Sequence, residues 1–227
     1  MRHPAFLIAA GLAATAAPAA AETVTDEQVW LNATVIGTVP GSRLAYFLEA
    51  QPRFVDGAGR LGQLILRPAI GWKASDRVTA YAGYAHVVLP VERARDRNED
   101  RLFLQLSWTL PKSGAGTLSS RTRLEHRRLS TGSDTGWRVR EMIRYVHPLG
   151  RPQRTRALVS AEAFVALNDT DWGARAGFDQ LRGFAGVEIP LAGRTTIEAG
   201  YLNQLINDPG GRRRMNHVAS LSLFVRP

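Results

Sequence analysis

The chain has 227 residues, a formal net charge of +9 at pH 7 and no cysteine, which excludes a disulfide framework and a thiolate metal site. Nearly all of the positive charge is arginine, because Lys73 and Lys112 are the only lysines. The arginines form no basic run and recur at alternate positions, so we expect no nucleic acid as a partner.

Residues 1–21 have the pattern of a secretory signal peptide. A positive start at Arg2 is followed by an apolar run over 5–17, and the small residues Ala19 and Ala21 fit the pocket of a signal peptidase. The run is shorter than the roughly 20 apolar residues of a spanning helix. We therefore predict cleavage after Ala21 and one domain over 22–227, which would enter a membrane only by strands.

Turn signals such as Pro40-Gly41 and Asp56-Gly57 divide the rest of the chain into segments of roughly ten to thirteen residues. Within a segment apolar and polar residues alternate, which indicates strands rather than helices. In one of them Leu102, Leu104 and Leu106 share a face. The predicted strands are 28–38, 43–53, 61–72, 77–89, 101–110, 117–129, 137–147, 156–167, 180–190, 194–204 and 214–225.

This pattern predicts an all-β fold, a single antiparallel up-and-down β-barrel of about ten to twelve strands. Eleven segments conflict with the even number that bacterial single-chain barrels have, so either one strand is hidden or the first segment runs inside or beside the barrel. We also expect longer connections at 54–60, 90–100, 168–180 and 205–214, alternating with short ones, as on the two rims of a membrane barrel.

The alternation does not by itself name the solvent. A soluble barrel turns its apolar face inward, and a membrane barrel turns it outward. Charges of both signs on the polar face, an apolar face rich in alanine and an export signal all favour lipid outside. Aromatic residues near segment ends, among them Trp72, Trp108, Trp137 and Tyr145, are typical of the two membrane interfaces. A soluble periplasmic barrel that binds an apolar ligand is the alternative.

Arginine and glutamate on the polar faces form the candidate site. Guanidinium groups bind carboxylates in a bidentate manner, so these residues either pack the lumen with ion pairs or line a narrow pore that favours small anions. The residues expected to line the lumen are Glu49, Arg53, Arg67, Arg121, Arg123, Glu125, Arg127, Arg138, Arg140, Arg144, Glu162, Arg182, Glu188 and Glu198. Glu141 falls on the apolar face, and a β-bulge there would repair the register.

Catalytic and metal sites receive less support. On a strand, His217 and Ser220 point to opposite faces, as do Glu125 and His126, and there is no Gly-x-Ser-x-Gly motif. The sequence contains no His-x-His or His-x-x-x-His pair of the kind that binds a metal. The acidic run over 168–172 lacks the glycine and distal glutamate of a calcium loop. We expect a solvated loop there, no cofactor and no catalysis, with a lipid-modifying barrel enzyme as the alternative.

Several short motifs occur in a fixed order along the chain. They are Trp30, Glu49-Ala50-Gln51-Pro52-Arg53-Phe54, Gly59-Arg60-Leu61, Gly83-Tyr84-Ala85-His86, Leu124-Glu125-His126-Arg127 and Arg138-Val139-Arg140. In these motifs nearly the whole mature chain resembles a bacterial family catalogued as domain of unknown function 2490. The resemblance implies an outer-membrane-type β-barrel and supplies no catalytic or binding residues, and the alanine-rich strands here depart from the more aromatic strands of the family. We therefore expect a barrel of the cell outer membrane, in contact with its lipid, that is structural or a narrow pore.

Overall fold

A computed structural model describes residues 23–110, 114–150, 155–208 and 212–227. Eleven strands cross this described part of the chain and form one closed barrel. In chain order they are β1 (Thr23–Thr38), β2 (Leu44–Val55), β3 (Arg60–Lys73), β4 (Val78–Leu89), β5 (Arg97–Thr109), β6 (Thr117–Leu129), β7 (Thr135–Leu149), β8 (Thr155–Ala166), β9 (Gly177–Pro190), β10 (Thr196–Asn207) and β11 (Arg213–Val225).

The barrel is an up-and-down barrel, as predicted, with every pair of consecutive strands antiparallel. It closes where β1 pairs in parallel with β11, from Thr23 opposite Arg213 to Val35 opposite Val225. The expectation of an even number of strands is therefore wrong. A parallel pair satisfies the backbone hydrogen bonds of both edges, so eleven strands close as completely as ten or twelve.

The odd strand count places the two ends of the barrel sheet on opposite rims. We call upper the rim at which β1 begins and lower the rim at which β11 ends. The connections 56–59, 90–96, 130–134 and 167–176 lie on the upper rim, as do the end of β10 and the beginning of β11. The predicted alternation of long and short connections is wrong, because β5 and β9 begin earlier, and β2 and β10 end later, than the sequence pattern suggested. Among the connections that the structure describes in full, only 167–176 is much longer than the others.

The two walls of the barrel differ in polarity. Large apolar side chains project outward from every strand, and the most exposed include Ile70 at 66% and Leu104 at 62%. Arginine, glutamate and glutamine predominate among the buried residues of the inner wall. Trp72, Trp108 and Tyr145 project outward near the lower rim, and Trp137 does so near the upper rim.

The inner wall also has an apolar side, formed by β2 to β5. The ring of Phe47 packs edge-on against Tyr81 at a centroid distance of 5.3 Å and stacks on Phe103 at 6.1 Å. A second cluster, of Ile65, Ala85 and Val87, lies beside it and is fully buried. These side chains occupy one side of the lumen, whereas most of the buried charged residues lie on β6 to β10. Charged inward residues of β2, β3 and β5 are Glu49, Arg53, Arg67, Glu99 and Arg101.

Candidate functional site

The structure places all the residues that the sequence assigned to the lumen on the inner wall. The assignment follows from the period of two, because alternate residues of a strand face the same side of a sheet. Register shifts occur at Arg53/Phe54 and at Phe164/Val165, and neither changes the assignment. The residues are Glu49, Arg53, Arg67, Arg121, Arg123, Glu125, Arg127, Arg138, Arg140, Arg144, Glu162, Arg182, Glu188 and Glu198.

Glu125 of β6 is the centre of the ion-pair network on the inner wall. Its side chain is only 1% exposed and binds two arginines of the neighbouring strand β7. Arg138 Nη2 lies 2.7 Å from Glu125 Oε2, and Arg140 Nη1 lies 2.8 Å from Glu125 Oε1. Arg123, which is 2% exposed, donates to the amide oxygen of Gln105 and approaches Glu125 at 3.8 Å. Together these side chains form a layer across the middle of the lumen, which we call the central layer.

Three further carboxylates extend the network toward the lower rim. Glu162 of β8 accepts hydrogen bonds at 2.7 Å from both Arg140 and Arg121. Arg144 lies between Glu188 and Glu198, at 3.0 Å and 2.6 Å. Charged hydrogen bonds of this length are the strong class. Some of them join neighbouring strands, and others join strands that are not paired, such as β6 with β8 and β7 with β10.

Sequence reasoning missed one ion-pair group of the inner wall. Glu99 binds Arg101 at 2.7 Å and Arg127 at 2.6 Å, and all three side chains are largely buried. Glu99 fell outside the predicted strand because the charged run before it was read as part of a loop. The alternation from Glu99 through Arg101 to Phe103 was the signal that could have extended the strand.

Aromatic rings fill the space between the charged groups. The guanidinium groups of Arg140 and Arg182 pack over the ring of Phe164, each 4.5 Å from the ring centroid. Those of Arg53 and Arg182 pack over the indole of Trp30, at 3.8 Å and 5.0 Å. Such contacts stabilise a desolvated cation through the negative face of the ring. Neither Trp30 nor Phe164 was predicted to face the lumen.

Three cavities lie along the inner wall. An upper cavity of about 450 Å³ lies beneath the loop 167–176. A lower cavity of about 670 Å³ opens at the lower rim, and a chamber of about 260 Å³ continues from it toward the middle of the barrel. The lower cavity and the chamber share Arg121, Met142 and Arg144, whereas neither shares a lining residue with the upper cavity.

The outer wall carries a few polar groups among its apolar residues. Tyr201 and His217 are joined by a hydrogen bond of 2.6 Å, and Tyr145 and His147 by one of 3.1 Å. Glu141 keeps its outward position, since the pairing of β7 with both neighbours shows no register shift. The suggested bulge is therefore absent from this described segment, and the hydroxyl groups of Ser120 and Thr122 donate to the carboxylate instead.

The histidines considered for catalysis all project outward. His86 contacts Tyr84 and Asp100, and His126 packs edge-on against Trp137. His217 lies on the outer wall and Ser220 lines the inner chamber, as the strand spacing required. Within the described residues there is no group of three or more His, Cys, Asp or Glu side chains placed to hold a metal ion. No helix of the described chain is long and apolar enough to span a membrane.

Comparison with known proteins gives the family. The sequence profile of the family described as "Protein of unknown function (DUF2490)" matches residues 27–216. The chain belongs to the DUF2490 family. An uncharacterized protein of Methylorubrum extorquens AM1 is 46% identical over the whole of this chain and 99% of its own length. No solved structure matches.

In this DUF2490 barrel, the loop 167–176 covers the upper cavity and is held by Asp171. The Asp171 carboxylate accepts hydrogen bonds of 2.8 Å from the backbone N–H and the hydroxyl of Ser133. Trp172 donates from its indole to the carbonyl of Asp134 at 2.9 Å and lies 5.0 Å from the guanidinium of Arg127. Asp169 accepts from the backbone of Ala176. The acidic run thus caps backbone N–H groups and packs the loop onto the β6–β7 connection.

The docking of this loop is expected to be lost in acid. The hydrogen bonds from Ser133, the backbone one above all, lower the pKa of the exposed Asp171 carboxyl. Because the folded pKa is below the ordinary value of about 3.9, the stabilisation that ionised Asp171 gives to the docked loop is complete above that pH. It is lost as the pH falls through the folded pKa. The protection of the Ser133 amide, measured by NMR as its exchange rate relative to the intrinsic rate at each pH, should fall in that range. Asp171→Asn should abolish this fall, and Asp169→Asn should preserve it; protection independent of pH in the unmutated protein contradicts the assignment.

Proposed function

We propose that this protein is a barrel of the cell outer membrane whose lumen is closed by the central layer, so that it serves as a structural barrel rather than an open channel. The observation that carries the proposal is the orientation of the two walls. Leucine, isoleucine and valine side chains project outward around the whole barrel, and arginines and glutamates project inward. A soluble barrel needs the opposite arrangement, since an exposed apolar surface of this extent is unfavourable in water.

The outer wall also has the vertical pattern of a lipid-facing surface. On β5 the outward residues run from Asp100 near the upper rim through Leu102, Leu104 and Leu106 to Trp108. Eight residues of strand span about 27 Å, and a tilt of about 40° reduces the height to about 21 Å, which is near the apolar band of a membrane barrel. Aromatic and polar groups at both ends would then lie at the lipid interfaces.

Closure of the lumen is supported by burial in the central layer. Glu125 and Arg123 are almost inaccessible to solvent, and Phe164 is buried beside them. The apolar cluster around Phe47 and Phe103 fills the opposite half of the same lumen. The second candidate function is a narrow passage for small anions, favoured by the excess of arginine over glutamate in the chamber that continues from the lower cavity.

The test is fractionation of the bacterial envelope followed by planar-bilayer recording of the purified protein. We expect the protein in the outer-membrane fraction and little or no current, with a slight preference for anions wherever current appears. Recovery from the soluble periplasm would overturn the membrane proposal, and a large cation-selective conductance would overturn the closed lumen. Hydrolysis of added lipid would instead support the enzyme alternative.

A further inference from the structure

The chamber of about 260 Å³ has more positive than negative side chains on its walls. It is bounded by β1, β2 and β3 on one side and by β6 to β11 on the other. Six arginines and three glutamates line it. Glu125 and Glu188, which bind Arg140 and Arg144 from outside the chamber, are shared with Arg138 and Arg156, so the carboxylates remain fewer than the arginines. The arginines are Arg53, Arg67, Arg121, Arg140, Arg144 and Arg182.

Arg53 is the clearest case of a buried cation with only neutral partners. Its guanidinium donates to the amide oxygens of Gln51 at 2.7 Å and Gln63 at 2.8 Å. Among the described residues, no carboxylate oxygen lies within 4.0 Å of the Arg53 guanidinium, and the neighbouring glutamates pair with other arginines. The side chain is largely buried, and its Nε–H has no hydrogen-bond acceptor in the described structure. An isolated buried charge is costly unless a counter-charge is supplied.

Arg182 brings a second positive charge to the same place. Its guanidinium and that of Arg53 both pack on the indole of Trp30, and its Nε–H also has no acceptor among the described atoms. Its carboxylate neighbour is Glu162 at 3.8 Å, which already accepts two shorter bonds from Arg121 and Arg140. Two cations on one ring repel each other, and an anion between them would remove that repulsion.

The remaining lining of the chamber suits an oxygen-bearing anion. Hydroxyl groups of Ser160, Ser220 and Ser222 line it and supply neutral O–H donors. Arg121 adds a further buried Nε–H without an acceptor in the described structure. Guanidinium forks and hydroxyl groups together form the donor set that binds carboxylate, sulfate or phosphate oxygens.

The chamber can be entered from one side. Because it shares Arg121, Met142 and Arg144 with the wide lower cavity, a small ion has a route from the lower rim. The central layer separates it from the upper cavity. An ion that enters would therefore reach a blind end beside Trp30 rather than cross the barrel.

We propose that this chamber is a binding site for a small oxyanion, held between the guanidinium groups of Arg53 and Arg182 beside Trp30. The inference rests on the closed lumen of the proposed function, but not on where in the cell the barrel resides. Inorganic phosphate is the probe, since it offers charge and acceptor oxygens in a volume that the chamber accommodates.

The experiment measures phosphate binding to the purified barrel in detergent, by calorimetry and by the shift of the unfolding temperature, against sodium chloride at equal ionic strength. Phosphate should bind saturably, and Arg53→Gln and Arg182→Gln should each weaken binding about tenfold or more. Each variant removes one of two repelling charges, so neither should unfold more readily than the unmutated protein without phosphate. That combination separates a binding role from a merely structural one.

Two controls complete the design. Arg175→Gln removes an exposed arginine above the upper cavity and should leave phosphate binding unchanged. Arg53→Lys keeps the charge and should retain more binding than Arg53→Gln. An absence of saturable binding, or equal weakening by Arg175→Gln and Arg53→Gln, would overturn the proposal. Failure of the membrane or conductance test would leave these binding results untouched, so the two failures are distinguishable.

Discussion

Replacement of Glu125 by glutamine is expected to destabilise the barrel by about 3–5 kcal/mol, because removal of one partner leaves buried charges uncompensated. Glutamine has nearly the same shape as glutamate, so the substitution opens no large cavity. Arg138 and Arg140 lose their charged partner at 2.7 Å and 2.8 Å, in a layer where water has almost no access. Arg140 retains Glu162 and Arg138 retains Asp179, which sets an upper limit to the loss.

The measurement is urea unfolding of the refolded protein in lipid vesicles, with Asp56→Asn as the matched control. Asp56 pairs with Arg60 in the exposed connection at the upper rim, where an ion pair contributes about 0–1 kcal/mol. A Glu125→Gln variant no less stable than Asp56→Asn would contradict the central layer as the element that holds the strands together. Conductance of the same variant tests whether the central layer closes the lumen, because a weakened layer should pass more current.

The strands were largely predictable from the sequence because two independent signals agreed. Gly, Pro, Asn and Asp marked the turns, and the period of two fixed which residues faced inward, so β6 was placed over the same residues, 117–129, in prediction and structure. The inward position of Arg123, Glu125 and Arg127 followed directly. What the alternation could not give was the identity of their partners, which depends on the register between strands.

The remaining features depend on contacts between residues distant in sequence. The parallel pairing of β1 with β11 joins the first and last strands, and no local signal distinguishes it from an antiparallel closure. The hydroxyl groups of Ser120 and Thr122 that donate to the Glu141 carboxylate on the outer wall lie on the neighbouring strand. A local repair by a bulge was the natural expectation from one strand alone. Likewise, the apolar half of the lumen arises from four strands and is visible in none of them separately.

Register also changes the expected effect of a substitution. Alternation alone makes Gln105→Arg harmless, since a charge on a wet inner wall is tolerated. In the structure Gln105 is buried and its amide oxygen accepts from Arg123 Nε at 2.9 Å. A second guanidinium there would face Arg123 without a carboxylate between them. Gln105 is therefore unsuitable as the tolerant control for a test of the outer wall.

Replacement of Leu104 by arginine should cost about 2–4 kcal/mol or block insertion, because the residue lies at the middle of β5 on the outward face. A charge at the midplane of a bilayer has no water and no partner, whereas the same charge near an interface reaches the headgroups. The suitable control is Asn98→Arg, on the same face of the same strand but near the upper rim, where the expected cost is about 0–1 kcal/mol.

Folding into vesicles, followed by urea unfolding, compares the two variants directly. The difference between them isolates depth in the membrane, since strand, face and introduced side chain are the same. If the barrel is soluble, an arginine in place of Leu104 faces water and removes an exposed leucine, and the variant should be no less stable than Asn98→Arg. Equal stability of the two would therefore argue against a lipid-facing outer wall, whereas a loss confined to Leu104→Arg is the outcome that the reversed polarity of the two walls requires.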